Sequence, residues 1–148
     1  MIKHSNLKEI LAKDGTVAFT TSGVSMWPLF RHRRDTIIVT KRQNRLKKYD
    51  IALFQVNNKY ILHRVVKVLD HSYIICGDNC LTKEYGIKDE QILGYVTQFY
   101  RGNRLISCNN FWYRLYVYIW VNLYPIRALI KKSKIWIKKI IGVKTWKR

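Results

Sequence analysis

Carboxylates are scarce in this 148-residue chain: 9 Asp and Glu stand against 28 Lys and Arg, a formal net charge of +19. From residue 101 onward there are 12 basic side chains and no acidic one. Surface of that sign seeks phosphates, on nucleic acid or on anionic lipid. Cysteine is also sparse. Cys76, Cys80 and Cys108 cannot form a complete disulfide set. The segment Met1 to Gly15 is polar, with no apolar run long enough for an export signal. A reducing, cytosol-facing setting is therefore expected for residues 1–100. The length is too short for two full domains, and no internal repeat or low-complexity tract is present. With 48% apolar and 14% aromatic residues the chain is not disordered.

The spacing predicts a helix over 5–13, with Ser5 as N-cap and Leu7, Ile10 and Leu11 on one face. Short β-type runs follow at 16–21, 35–41, 50–56, 59–69, 72–76 and 91–101. Asn57-Asn58 is expected to turn one hairpin and Asp70-His71 another. This pattern predicts a mainly β domain over 1–107, a compact mixed or closed antiparallel sheet with a short N-terminal helix.

Residues 108–148 read as a basic, aromatic-rich helical tail. In 111–130 the apolar character is broken by Arg114, Asn122, Pro125 and Arg127, and only Leu115–Val121 is uninterrupted. Beyond it, Lys131, Lys134 and Lys138 share a helical face, with Ile135, Trp136, Ile140 and Ile141 towards another. Such amphipathic helices suit an anionic membrane surface, ahead of docking on the β domain or spanning the bilayer.

The chemistry centres on Ser22–Phe30, SGVSMWPLF, a Gly- and Pro-bounded turn that can expose the Ser25 hydroxyl. A serine in such a turn is most often turn chemistry, and a hydroxyl needs a neighbouring base to act as a nucleophile. Of the four histidines, His4 lies near the N-terminus, His71 in a turn, and His32 in a basic run that gives it no partner. Only His63 lies mid-strand, where a structural role is the ordinary explanation. Lys67, four residues on, shares its strand face under strict alternation and is a less favoured base. Cys76 and Cys80 lack the spacing of a zinc site, read as packed thiols, and imply no metal or cofactor. Nothing in the sequence lowers the Cys80 pKa enough to make it a nucleophile.

Taken in order, Gly23-Val24-Ser25-Met26-Trp27-Pro28, Tyr49-Asp50-Ile51 with Phe54, His63-Arg64-Val65, Gly77-Asp78-Asn79 and Ile92-Leu93-Gly94-Tyr95-Val96 resemble the signal peptidase I and LexA-type serine endopeptidases, the S24/S26 superfamily. The resemblance covers Ser22 to Gly102. It implies a coiled β-sheet peptidase fold with Ser25 as nucleophile. His63 falls where bacterial signal peptidases keep a lysine, which is the arrangement of the endoplasmic-reticulum-type and archaeal branch. Histidine ordinarily titrates near 6.5 and needs less tuning than lysine to act as a base at neutral pH. For the carboxylate that orients the base, the resemblance places Glu84 slightly ahead of Asp78, which also suits a turn-holding role. The oxyanion and substrate site would use Ser22, Ser25 and Met26. Gly23 stands where many relatives have a serine that helps bind the oxyanion.

The expected function is a serine endopeptidase that cleaves leader or signal segments of peptides through a Ser-His dyad. It would be membrane-associated through 111–148, with its active site facing the cytosol. The alternative is a non-enzymatic basic module binding nucleic acid or anionic membrane on a degenerate peptidase scaffold, with nucleic acid the less favoured partner.

Overall fold

The computed structural model describes residues 7–140, with side chains placed as far as residue 137. Helix α1 (Leu7–Asp14) precedes eight strands: β1 (Thr16–Thr20), β2 (Thr36–Lys41), β3 (Ile51–Val56), β4 (Lys59–Val68), β5 (Tyr73–Cys76), β6 (Glu84–Ile87), β7 (Ile92–Arg101) and β8 (Arg104–Ser107). Helices α2 (Phe111–Asn122) and α3 (Tyr124–Ile140) follow. The expected cap Ser5, together with His4 and Ile141, lies outside the described residues, as do the side chains of Lys138 and Ile140.

All strand pairs are antiparallel, in the order β1-β2-β7-β3-β4-β5-β6, with β8 also pairing β7. The fold is therefore mainly β, with β1 and β6 ending the ordered path. Strand β3 explains how one sheet serves two cores. Ile51 and Leu53 enter a cluster with Leu7, Leu11, Phe30 and Phe99, whereas Ala52 and Phe54 enter a second with Val65, Tyr73 and Ile75. A strand covered on both faces reads as a continuous apolar run, here Ile51–Phe54. Asn57 and Asn58 both adopt positive φ (48° and 60°), the backbone that a two-residue hairpin requires.

Two strands were not anticipated. Strand β6 has four residues, contains Gly86 at φ 70° and ends the sheet; β8 has four and follows the Gly102 turn. Neither is long enough to show an alternation.

A β-bulge corrects the expectation for Lys67. Arg64 pairs with Cys76 and Val65 with Ile75, but the register then shifts and Lys67 pairs with Ile74. Cross-strand partners share a face, so Lys67 joins Arg64 on one side while His63 and Val65 occupy the other. Lys67 is consequently not on the His63 face.

Candidate active site

Ser25 lies in the loop between β1 and β2, and its neighbours fix the shape of that loop. Met26, Leu29 and Phe30 are buried in the first core, while Val24 and Trp27 face outward. Trp27 N–H donates to the Val24 carbonyl at 3.2 Å, and Phe30 N–H to Met26 at 3.0 Å. At the far end, the buried Asp35 carboxylate accepts the Arg31 N–H at 2.9 Å, and its carbonyl accepts the Thr21 N–H at 3.1 Å. Gly23 adopts φ 93°, which a side chain would strain. Its N–H donates to His32 Nδ1 at 2.8 Å. His32 thus has a partner, contrary to the expectation from its basic surroundings. An accepting Nδ1 also means that a neutral His32 carries its proton on Nε2.

His63 stands on β4 opposite Ala52 and is 9% exposed. Its Nδ1 is 2.6 Å from Oε1 of Glu84, the first residue of β6. Beside a carboxylate, Nδ1 is the protonated nitrogen of a neutral ring, which leaves Nε2 as a lone-pair acceptor.

Gly77 is where the Ser25 loop and the His63 ring meet. A Cβ placed on it would lie 2.8 Å from the Ser25 carbonyl oxygen, 2.9 Å from His63 Nε2 and 2.6 Å from Cys80 Sγ. The Ser25 carbonyl and His63 Nε2 are therefore no farther apart than the sum of the first two distances. The turn beginning at Gly77 also grips the loop, because Asn79 N–H donates to the Ser25 carbonyl at 2.7 Å and Asn79 Nδ2 to that of Val24 at 3.1 Å.

Asp78 goes elsewhere. It forms a buried, two-pronged pair with Arg64: Nε donates to Oδ1 at 2.8 Å and Nη2 to Oδ2 at 2.7 Å. Arg64 Nη1 also donates to the Tyr49 carbonyl at 2.9 Å. Burial alone would lower the Arg64 pKa, but the Asp78 carboxylate outweighs it and holds that pKa above its ordinary value. Arg64, adjacent to His63 in sequence and on the opposite face, has a place that sequence reasoning did not assign. A charged residue inside an apolar strand run was the available signal.

Of the other sequence-derived positions, Ser22 is exposed and Met26 is a buried wall. Both line a cavity of about 330 Å³ that also touches Ser25, Phe30, Tyr60 and Leu62 and, among the described residues, has no charged lining side chain. Burial pushes the Cys76 and Cys108 thiols up to about 11, and it raises Cys80 as well. Among the described residues, no three His, Cys, Asp or Glu side chains are grouped so as to hold a metal.

The C-terminal helices reach this region. Asn110 caps α2, its side chain accepting the Trp112 and Tyr113 N–H groups. On α2, Trp120 Nε1 donates to the Asp78 carbonyl at 3.3 Å. On α3, Tyr124 hydroxyl donates to the Leu81 carbonyl at 2.5 Å, Arg127 Nη2 to the Asp78 carbonyl at 2.6 Å, and Lys131 to the carbonyl and side-chain oxygens of Asn79. Tyr124, Arg127, Lys131 and Lys134 follow helical spacing along one face. Much of the remaining face is exposed and apolar: Ile126, Leu129, Ile130, Ile135, Trp136 and Ile137. No helix among the described residues is long and apolar enough to cross a membrane.

No protein-family model matches this chain, and no curated protein matches it.

Proposed function

We propose that this chain is a serine endopeptidase of the signal-peptidase-like type, acting on leader or signal segments of peptides at an anionic membrane surface. One observation carries the reading: the Ser25 loop and the Nε2 of a carboxylate-bound His63 converge on Gly77. In this mechanism Ser25 Oγ attacks the scissile carbonyl and His63 Nε2 takes its proton. The oxyanion is met by the Ser25 N–H. The tetrahedral adduct then collapses, the C–N bond breaks, and His63 returns the proton to the leaving amine. Water, deprotonated by His63, then attacks the acyl-serine; the C–Oγ bond breaks and His63 returns the proton to Ser25 Oγ. Glu84 fixes the ring tautomer and stabilises the imidazolium as it forms. Asp78 serves the fold through Arg64. The uncharged cavity beside Ser25 suits small or apolar substrate side chains. The reading implies a coiled peptidase-type sheet, and the antiparallel β architecture is compatible with it.

Membrane placement rests on α3, whose exposed Ile, Leu and Trp side chains are interspersed with lysines and have no acidic neighbour in the helix. A degenerate, non-catalytic scaffold is the second reading. It is favoured by Gly23, which brings no hydroxyl and whose N–H is already engaged by His32.

The test is labelling with a serine-acylating agent together with leader-peptide cleavage by wild type, Ser25→Ala and His63→Ala. Labelling on Ser25 and loss of cleavage in both variants supports the peptidase. Full cleavage by both variants, or no turnover by wild type, removes it.

A further inference from the structure

A second cavity of about 330 Å³ lies between Trp27, two residues after Ser25, and the C-terminal helices, and shares no lining residue with the first. Asn79 and Cys80 form part of its lining, and both belong to the turn that holds Ser25. The two cavities differ in charge. Among the described residues, the first has no cationic side chain or carboxylate in its wall. The second is lined by Arg127, Lys131 and Lys134, together with the aromatic side chains of Trp27, Trp120 and Tyr124.

Asp78, the one carboxylate among its described lining residues, is 4% exposed and held by Arg64, so it offers little charge to the cavity. The hydrogen bonds of Arg127 and Lys131 end on backbone carbonyls and an amide, which leave their charge uncompensated. Among the described residues, no carboxylate lies within ion-pair distance of Arg127, Lys131 or Lys134. Three unpaired cations in one recess need an anionic occupant.

We propose that this cavity binds the acidic segment of a peptide substrate: one flank of the scissile bond is uncharged and fills the first cavity, and the other carries Asp or Glu and fills the second. The inference rests on the peptidase reading and specifies the substrate class for that same site. A peptide is favoured because the recess shares a wall with the Ser25 loop, and a chain whose scissile carbonyl reaches Ser25 passes beside it. At physiological ionic strength, charges more than about 8 Å apart are largely screened, so contact within the recess should set the preference rather than the overall +19.

The experiment uses the full chain carrying Ser25→Ala, which holds peptides uncleaved. Binding is followed by fluorescence anisotropy for a labelled peptide with an apolar half and a Glu-rich half, against its Gln-for-Glu counterpart. The Glu peptide is expected to bind at least tenfold more tightly. Lys134→Glu should erase that preference. Lys132→Glu, with the same charge change on an exposed residue outside the recess, should keep it. Equal affinity for the two peptides, or equal loss in both variants, overturns the proposal. So does displacement of the Glu peptide by a single-stranded oligonucleotide or by phosphatidylglycerol vesicles more effectively than by unlabelled Glu peptide. Wild-type protein separates this proposal from its premise. Binding with the expected preference but no cleavage sinks the peptidase and keeps the acidic site, whereas cleavage without charge preference does the reverse.

Discussion

Nδ1 of His63 and Oε1 of Glu84, 21 residues apart in sequence, meet at 2.6 Å, while the other carboxylate of the region, Asp78, is turned to Arg64. The two acids should therefore respond differently to removal. Glu84→Gln is expected to leave the melting temperature nearly unchanged and to lower kcat by roughly 10²- to 10⁴-fold, the scale on which losing an orienting carboxylate acts. Asp78→Ala strands a buried guanidinium and should cost about 3–5 kcal/mol of stability. Calorimetry and single-turnover cleavage on both variants check the assignment, and a reversed pattern would exchange their roles.

Gly77→Ala tests the close approach. Its Cβ would come within 3 Å of the Ser25 carbonyl, His63 Nε2 and Cys80 Sγ, and the first two are held in place, the carbonyl by the Asn79 N–H and the ring by Glu84. Overpacking of this kind costs about 1–3 kcal/mol. The larger expected effect is on rate, because moving a catalytic pair apart by about 1 Å can lower turnover roughly 100-fold. A folded variant with wild-type turnover would show that the convergence at Gly77 is catalytically irrelevant.

The helical tail should act on the turn at a distance from the bond being cut. Arg127→Ala removes a donor to the Asp78 carbonyl and the stacking partner of Trp120, 3.7 Å from its ring centre. Losing about 1.4 kcal/mol of local stability would speed amide exchange at Asn79 and Cys80 about tenfold. Hydrogen-exchange mass spectrometry reads this directly. Unchanged protection of that turn would mean that the contacts carry no energy.

Thiol chemistry gives a prediction with a definite sign. Burial raises the cysteine pKa values, to about 11 for Cys76 and Cys108, so the reactive thiolate is a minor species at neutral pH. Alkylation of Cys76 and Cys108 by iodoacetamide should be slow at pH 7 and accelerate about tenfold per pH unit until roughly pH 11. Cys80 should also be sluggish at pH 7, and Cys80→Ser should retain cleavage. Rapid, stoichiometric labelling of Cys80 at pH 7 would instead mark it as an activated nucleophile beside His63.

The strands that could be read from the sequence were those with a strong pattern: Ile51–Val56 as a continuous apolar run, Lys59–Val68 behind its Asn-Asn turn, and Ile92–Arg101. Ser25 and Glu84 are picked out by the ordered blocks that resemble the S24/S26 peptidases, and His63 as the mid-strand histidine at the base position of those blocks. The bulge after Val65 was hidden because alternation carries no mark of an inserted residue. The grip of the tail on the turn that starts at Gly77 was hidden for another reason: its acceptors are backbone carbonyls of Asp78, Asn79 and Leu81, and any residue type supplies a carbonyl. Gly77 stood in a recognised block, but only the folded chain shows that its missing methyl group is the point.

The bulge also bears on how such a centre could change its chemistry. Val66 has no partner on β5, and that mismatch keeps the ammonium of Lys67 on the far layer from the imidazole. Inserting one residue between Ile74 and Ile75 would give Val66 a partner, restore two-residue periodicity and turn the downstream lysine toward the imidazole's side, whereas excising Val66 would leave it beside Arg64. One inserted codon thus separates a strand face that offers only an imidazole from one with an amine close at hand.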